Sequence, residues 1–332
     1  DTAGSSRSPT RSDGATSQQT GSATATLSSH RCLTATPSAY AAIGSAARHP
    51  LAPTPLALWV QDLWPESLQA TGFVRNKKAL TAVGYMVYWI YKGCDLLLAQ
   101  SKAFIPPLNE YANRSKIRYQ PNSFPEQSTD ALVDAPATLL NTLENKFCVV
   151  FAGNLGQVQA LDCVVDAAEL LKDHRDISIV LVGSGSKSEW LAQQKLERGL
   201  GNLELPGRFS MQTMPSIFNR AGALLVSLED DPIFELTIPS KIQAYLAAGK
   251  PVLASLNGEG AQVVLEAKAG LASPAGDSAA LAANILKIKA MAIEERAEMG
   301  RQGKSYFLEY FETESQARHL AETLSAMGKG TQ

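Results

Sequence analysis

The chain has 332 residues, 45% hydrophobic and 19% charged, enough for about two domains of ordinary size with proper cores. Its formal net charge of -2 supplies no basic face for a nucleic-acid partner. The four cysteines include no Cys-x-x-Cys pair, the four histidines are scattered, and no apolar run is long enough to span a membrane, so a chain of the reducing cytoplasm without a zinc site is expected.

Residues 1–50 are rich in Ser, Thr, Ala, Gly and Arg and poor in large aliphatics. Such a leader cannot bury enough apolar surface to offset its ordering entropy and is expected to be disordered. The chain opens on Asp1 and not on Met, so its true start is expected to lie upstream. From Pro55 the texture changes. Leu56 to Val60 reads as a buried strand, Asn76 to Lys92 as a helix and Asp95 to Ala99 as a strand. Ser101 to Tyr111 reads as a helix and Ile117 to Tyr119 as a short strand. Residues 51–122 are therefore part of an α/β domain. The helix carries Tyr85, Met86, Tyr88, Trp89 and Tyr91 with Lys77, Lys78 and Lys92 at its ends. That pattern suits a core helix, and equally an interfacial helix making peripheral contact with a bilayer.

Residues 123–145, with Pro125 and Pro136, read as a linker. Over 146–312 strands are expected at Phe147 to Ala152, Ser178 to Val182, Leu203 to Leu205, Ala223 to Ser227, Val252 to Ser255 and Gly270 to Ala272, with helices between them. Strands this apolar argue for a parallel sheet covered on both faces. Ligands of such sheets sit beyond the carboxyl ends of the strands. The first loop there, Gly153-Asn154-Leu155-Gly156, lets backbone approach a phosphate ahead of a helix N-terminus. The second, Gly183-Ser184-Gly185, fails the dinucleotide fingerprint because residue 188 is Ser and not Gly. Ser186 and Glu189 behind it have capping-box spacing. Further on, Ser240 is placed to cap a helix and Lys241 adds a positive charge beside exposed amides, a combination that suits a diphosphate. A plain capped helix with a solvated lysine would have the same sequence. Glu229-Asp230-Asp231 before Pro232 reads as a turn, or as a metal-binding acidic run. Glu294 to Phe311 and Thr313 to Met327 read as amphipathic helices, the latter forming with the tail a terminal unit over 313–332.

Pro239-Ser240-Lys241, then Tyr245 to Val252, Gly270-Leu271 and Pro274-Ala275-Gly276-Asp277 resemble the C-terminal domain of family 4 glycosyltransferases in order and spacing. Phe151 to Asn154 and Leu181 to Gly185 agree, and Trp59 to Ser67 with Pro121-Asn122 resemble the later part of that family's N-terminal domain. The resemblance implies an α/β fold of GT-B type, two Rossmann-like domains with the N-terminal one incomplete. It implies retaining transfer of a sugar from a nucleotide diphosphate, a UDP-sugar, with no obligatory metal. The texture of Gln61 to Glu66 and Asp231 to Phe234 is similar to the bacterial branch that builds O-antigen, capsule and exopolysaccharide, so the acceptor implied is a glycan or a lipid-linked sugar at the inner face of the membrane.

The family's usual arginine and lysine after the first glycine are replaced by Asn154 and a lysine-free Gln157-Val158-Gln159. Arg208 and Lys241 are then the candidates for the positive clamp, with Gly153, Asn154, Gly156 and Ser240 completing the donor loop. Glu235 and Gln243 keep the spacing of the family's paired glutamates but lie one residue out of register, the second falling on Ala244. Glu235 is the catalytic carboxylate expected on that basis. Glu259 is the candidate for gripping donor hydroxyls, against a surface loop charge. Asp62 would orient the acceptor hydroxyl or stabilise developing positive charge, against helix capping before Pro65. A nucleotide-sugar epimerase of the same architecture, and a truncated chain that binds nucleotide without transferring, are the alternatives.

Overall fold

The computed structural model describes residues 25–27, 30–34, 55–70, 74, 76–126 and 133–328. The first unit consists of β1 (Ala25–Leu27), β2 (His30–Thr34), β3 (Leu56–Val60), α1 (Glu66–Ala70), α2 (Lys77–Gly93), β4 (Leu96–Ala99), α3 (Ile105–Tyr111) and β5 (Ile117–Tyr119). Its sheet has the order β1-β2-β3-β4-β5, with β1 antiparallel to β2 and the rest parallel. Asn76 starts α2 by accepting the Lys78 amide at 2.9 Å, while Val87, Ile90 and Tyr91 turn onto the sheet. β1 and β2 correct the expectation for the leader. A strand can be held by backbone pairing alone, and β2 obtains it from β1 on one side and along Leu56 to Trp59 on the other. The remainder of residues 1–50 lies outside the described residues.

The second unit begins inside the expected linker. α4 (Ala137–Asn145) forms because Leu139 and Leu143, one turn apart, drop into the core that also holds Cys148 and Phe218. Then follow β6 (Phe147–Asn154), α5 (Leu161–Leu170), β7 (Ile177–Ser184), α6 (Ser188–Glu197), β8 (Leu203–Gly207), α7 (Met214–Arg220) and β9 (Ala223–Ser227). α8 (Pro232–Glu235), α9 (Ser240–Ala248), β10 (Val252–Ser255), α10 (Glu259–Glu266), β11 (Gly270–Ser273), α11 (Ser278–Ala290), α12 (Ile293–Tyr310) and α13 (Thr313–Gly328) complete the chain. The sheet is parallel throughout, in the order β11-β10-β9-β6-β7-β8. Every residue of β9 and β10 is buried, the consequence of helices on both faces and the reason these strands read as unbroken apolar runs.

The capping box expected at Ser186 and Glu189 does not form. α6 starts two residues later, and the Ser188 hydroxyl accepts the Gly185 amide at 2.9 Å, which tightens the loop instead of capping the helix. Among the described residues no helix is long and apolar enough to cross a membrane.

The chain passes between the units twice. Phe124, leaving the first, pairs with Phe311, where the chain turns back, through an amide to carbonyl bond of 2.8 Å. α13 then lies on the first sheet, with Leu324 buried against Ala57, Leu96 and Leu98. Gln120 donates to Gln316 across the same junction at 2.9 Å. Leu324→Ala is expected to cost about 2–4 kcal/mol, the usual range for a buried leucine truncation, and urea unfolding followed by tryptophan fluorescence reads it. A loss under about 0.5 kcal/mol would mean that α13 is not integral to the first unit.

Candidate nucleotide site

β6 comes first in the second sheet, yet its neighbours are β7 on one side and β9 on the other. Chain direction around the sheet reverses there, and the loops beyond the strand ends splay apart into a crevice. Between β6 and β9 pairing extends only over Val149↔Ala223 and Val150↔Leu224. The Tyr245 hydroxyl from α9 fills the gap, accepting from the Ala152 amide at 2.9 Å and donating to its carbonyl at 3.3 Å. Full burial holds its phenol well above the usual tyrosine range.

A cavity of about 1000 Å³ opens beyond these strand ends. Its polar wall carries Gly153, Asn154, Gly183, Gly185, Arg208, Ser240 and Lys241, and its apolar wall Phe124, Phe209, Met211, Met214 and Phe218. Two cations line it and no carboxylate does. Four of the strands and helices whose ends were singled out in the sequence thus converge on one crevice, although Gly153 and Lys241 are far apart in the chain.

The backbone geometry explains the glycines. Gly153 and Gly183 both have φ of +148°, and they are paired residues of β6 and β7. A Cβ on Gly153 would sit 2.7 Å from Lys241 Cε, and one on Gly183 only 1.8 Å from the Gly153 carbonyl oxygen. The bare backbone at Gly153 is the passage through which the lysine side chain enters. Lys241 lies over the Phe151 ring, 4.8 Å from its centroid, and donates to Gln159 Oε1 at 2.5 Å. Burial lowers its ammonium pKa to about 8, because no carboxylate offsets the lost hydration. Gln159 was invisible to sequence reasoning. In the lysine-free stretch Gln157-Val158-Gln159 it now holds a lysine supplied from elsewhere, and its own burial in a loop is the signal that betrays it.

Ser240 does not cap α9. It is the first helical residue, Pro239 precedes it, and its side chain is left at the cavity wall among first-turn amides that have no intrahelical acceptor. Arg208 follows Gly207, whose φ is +87°, and among the described residues no hydrogen bond or ion pair engages its exposed side chain. Asn154 is exposed at the rim, and Gly156 is buried behind it, where a Cβ would touch the Asn154 amide at 2.7 Å.

The carboxylates lie elsewhere. Glu235 and Glu259 line a second cavity of about 680 Å³, together with Asn257, Gln262 and Ser273. The Ser273 hydroxyl is buried there without a protein partner. Glu259 Oε1 accepts the Lys102 amide of the first unit at 3.0 Å. Asp62 follows β3, and partial desolvation raises its carboxyl above the usual range although the residue as a whole is exposed. The acidic run takes the turn role, Asp231 accepting the Ile233 amide to cap α8 and Asp230 accepting Asn257. Gln243 turns from α9 toward the first unit and donates to the Asn122 carbonyl at 2.6 Å. Asn122 in turn exchanges side-chain hydrogen bonds with Gln61 and donates to Gln100 Oε1 at the strand ends of the first sheet.

Residues 146–290 match the family model "Glycosyl transferases group 1". WbjE of Pseudomonas aeruginosa, described as a probable glycosyltransferase, is 25% identical over 231 residues, which is 68% of this chain and 57% of WbjE. WcaI of Escherichia coli K12, described as a glycosyl transferase of colanic acid biosynthesis, is 30% identical over 120 residues, 36% of this chain and 29% of WcaI. The chain therefore spans little more than half the length of the first of these relatives and less of the second. In fold it is similar to HepE of Anabaena, solved with UDP, at a TM-score of 0.70 with 18% identity, covering 89% of this chain and 78% of HepE. HepE has also been solved with UDP-glucose.

Proposed function

We propose that this chain, whose residues 146–290 match the group 1 glycosyltransferase family and whose fold is of GT-B type, is a family 4 enzyme that transfers a hexosyl unit from a UDP-sugar. The acceptor is a glycan or lipid-linked sugar of bacterial surface polysaccharide, met at the inner face of the membrane, and transfer retains the anomeric configuration. The observation that carries this reading is the carboxylate-free cavity at the switch point, with Lys241 and Arg208 on its polar wall. A diphosphate fits that wall, since both cations and the first-turn amides of α9 favour negative charge in a partly dry crevice. A pyrimidine base fits the Phe209 and Met214 side.

When the bond to the sugar breaks, negative charge grows on the departing diphosphate. Lys241, held beforehand by Gln159, and Arg208 beside it stabilise that charge more than the ground state, which is how such donors lower a barrier. No metal ion is required in this scheme. Asn154 and Ser240 position the phosphates, Gly153 and Gly156 let the backbone close on them, Glu235 and Glu259 with Asn257 address sugar hydroxyls, and Asp62 faces the acceptor. Calorimetric titration with uridine, guanosine and adenosine diphosphates tests the donor assignment; UDP is expected to bind and the others weakly, and no binding of any sinks it. The separation of Glu235 from the cavity that holds Lys241 favours a second reading, nucleotide binding without transfer. Under that reading UDP binds but no UDP is released from UDP-sugar in the presence of acceptor.

The lysine also sets a pH dependence. Its free pKa of about 8 must rise when a diphosphate settles beside it, because the anion favours the charged form. Below pH 8 the lysine is protonated in both states and the affinity is flat. Above it, binding must take up a proton, and affinity falls toward tenfold per pH unit until the bound-state pKa is passed. Titrations near pH 8.5 in buffers of different ionisation enthalpy are expected to show uptake of roughly half to three-quarters of a proton per UDP. Equal apparent enthalpies in all buffers would remove Lys241 from the diphosphate.

A further inference from the structure

The second cavity holds a neutral hydrogen-bonding group that nothing described so far uses. Among its lining side chains Asn257 is engaged at both ends, donating to Asp230 at 2.9 Å and accepting the Ala275 amide at 3.1 Å, and Gln262 donates to Glu266 at 3.3 Å. Ser273, the last residue of β11, is 4% exposed, and its hydroxyl has no partner among the described residues. A buried hydroxyl left unpaired is costly, and it can answer a ligand either as donor or as acceptor. The wall around it is apolar: Ala272 comes before it in β11, Leu256 follows β10, and Leu265 stands 47% exposed on α10.

The two cavities are neighbours at the starts of α9 and α10. A Cβ on Gly260, in the first turn of α10, would lie 3.1 Å from Cδ of Pro239, the residue that leads into Ser240 and Lys241. One on Gly258, whose φ is +73°, would lie 2.1 Å from the Glu235 carbonyl oxygen. No side chain therefore fills the ground between the α9 amides and the second cavity. A sugar carried by a diphosphate at Ser240 and Lys241 comes within reach of Glu235, Glu259 and Ser273.

We propose that the second cavity selects a donor sugar bearing an acetamido group, so that the donor is a UDP-N-acetylhexosamine. This rests on the donor assignment above. The acetamido group pairs with the Ser273 hydroxyl and lays its methyl against Leu256, Leu265 and Ala272, while ring hydroxyls turn to Glu235 and Glu259. Chemistry decides among the substituents a sugar can carry. A carboxylate is repelled by Glu235 and Glu259 in the same cavity. An ammonium would give up its hydration against an apolar wall that offers it one neutral hydroxyl. A bare hydroxyl answers Ser273 but leaves the wall uncovered, whereas an acetamido group meets both.

Calorimetric titration of the full chain with UDP, UDP-glucose, UDP-galactose and the two N-acetylated counterparts tests it. At least one N-acetylated donor is expected to bind about tenfold or more tightly than its hydroxyl parent, from one hydrogen bond and one buried methyl group. UDP-glucosamine, with its free amine, gains nothing over UDP-glucose. Ser273→Ala is expected to reduce the N-acetyl advantage to about threefold or less. Leu265→Lys, an exposed substitution that spares the core, reduces it as well. UDP binding with N-acetylated and hydroxyl donors equal within about twofold overturns the inference and leaves the donor assignment standing, whereas no binding of UDP removes both. An advantage unchanged in every variant that keeps the melting temperature of the parent also overturns it. So does tighter binding of UDP-glucosamine than of UDP-N-acetylglucosamine.

Discussion

Lys241→Met weakens UDP binding by roughly a hundredfold while leaving stability within about 1 kcal/mol of the parent. The affinity loss follows from removing a cation that no carboxylate neutralises, at a site where charge-assisted hydrogen bonds are worth about 1.5–3 kcal/mol. Stability is spared because the ammonium is already costly there. Burial lowers its pKa to about 8, and a thioether of similar length keeps the packing over Phe151 and past Gly153. Gln159 Oε1 loses its donor, which is the one term working against the substitution. Calorimetry for affinity and urea unfolding for stability separate the two effects. An unchanged dissociation constant would place the diphosphate elsewhere and remove the basis for the proposed donor site.

Gly183→Ala has the larger effect on the fold, about 3–5 kcal/mol. Two costs add. An L-residue at φ of +148° is strained by roughly 1–3 kcal/mol. The methyl group would also sit 1.8 Å from the carbonyl oxygen of Gly153, a backbone atom that cannot turn aside as a side chain would. Relief requires β6 and β7 to part at their carboxyl ends, and this is the wall of the cavity, so UDP affinity should fall together with stability. Urea denaturation compared with Gly201→Ala, which meets nothing within 4 Å and has no unusual φ, isolates the steric part. Equal midpoints for the two variants would show that the strand ends relax freely.

Much of this architecture is legible in the sequence because it rests on local regularities. Leu56 to Val60, Ala223 to Ser227 and Val252 to Ser255 are runs of apolar residues too short for a helix, and each is a strand with the limits its composition suggests. α4 is not legible because Pro136 and the polar residues around it look like linker chemistry, while the decisive Leu139 to Leu143 spacing is a single helical turn. The loops of the nucleotide cavity are legible for the same local reason, since Gly153 and Gly183 end apolar strands. What each loop does is not. Lys241 reaches Gln159, Glu259 is drawn to the Lys102 amide, and Gln243 turns to Asn122, pairings between residues far apart in the chain that no local spacing encodes. Ser240 illustrates the converse: its position suggests a cap, but Pro239 sets the helix start one residue earlier and frees the hydroxyl.

The paired crossings at Phe124 and Phe311 have a mechanical consequence. Two chain segments bonded side by side join the units, so any movement of the first unit against the second must bend the chain at this one place. Away from the crossings the units are joined by Gln243 on the Asn122 carbonyl, Ser101 Oγ on the Leu236 carbonyl, the Lys102 amide on Glu259, and the Lys102 ammonium on Glu266. Releasing these four costs about 4 kcal/mol at the usual net value of a hydrogen bond, less where the pair is exposed. Glu259 is one of these joints. One of its oxygens is held by the Lys102 amide, which fixes the carboxylate at the junction and leaves Oε2 to take a hydroxyl.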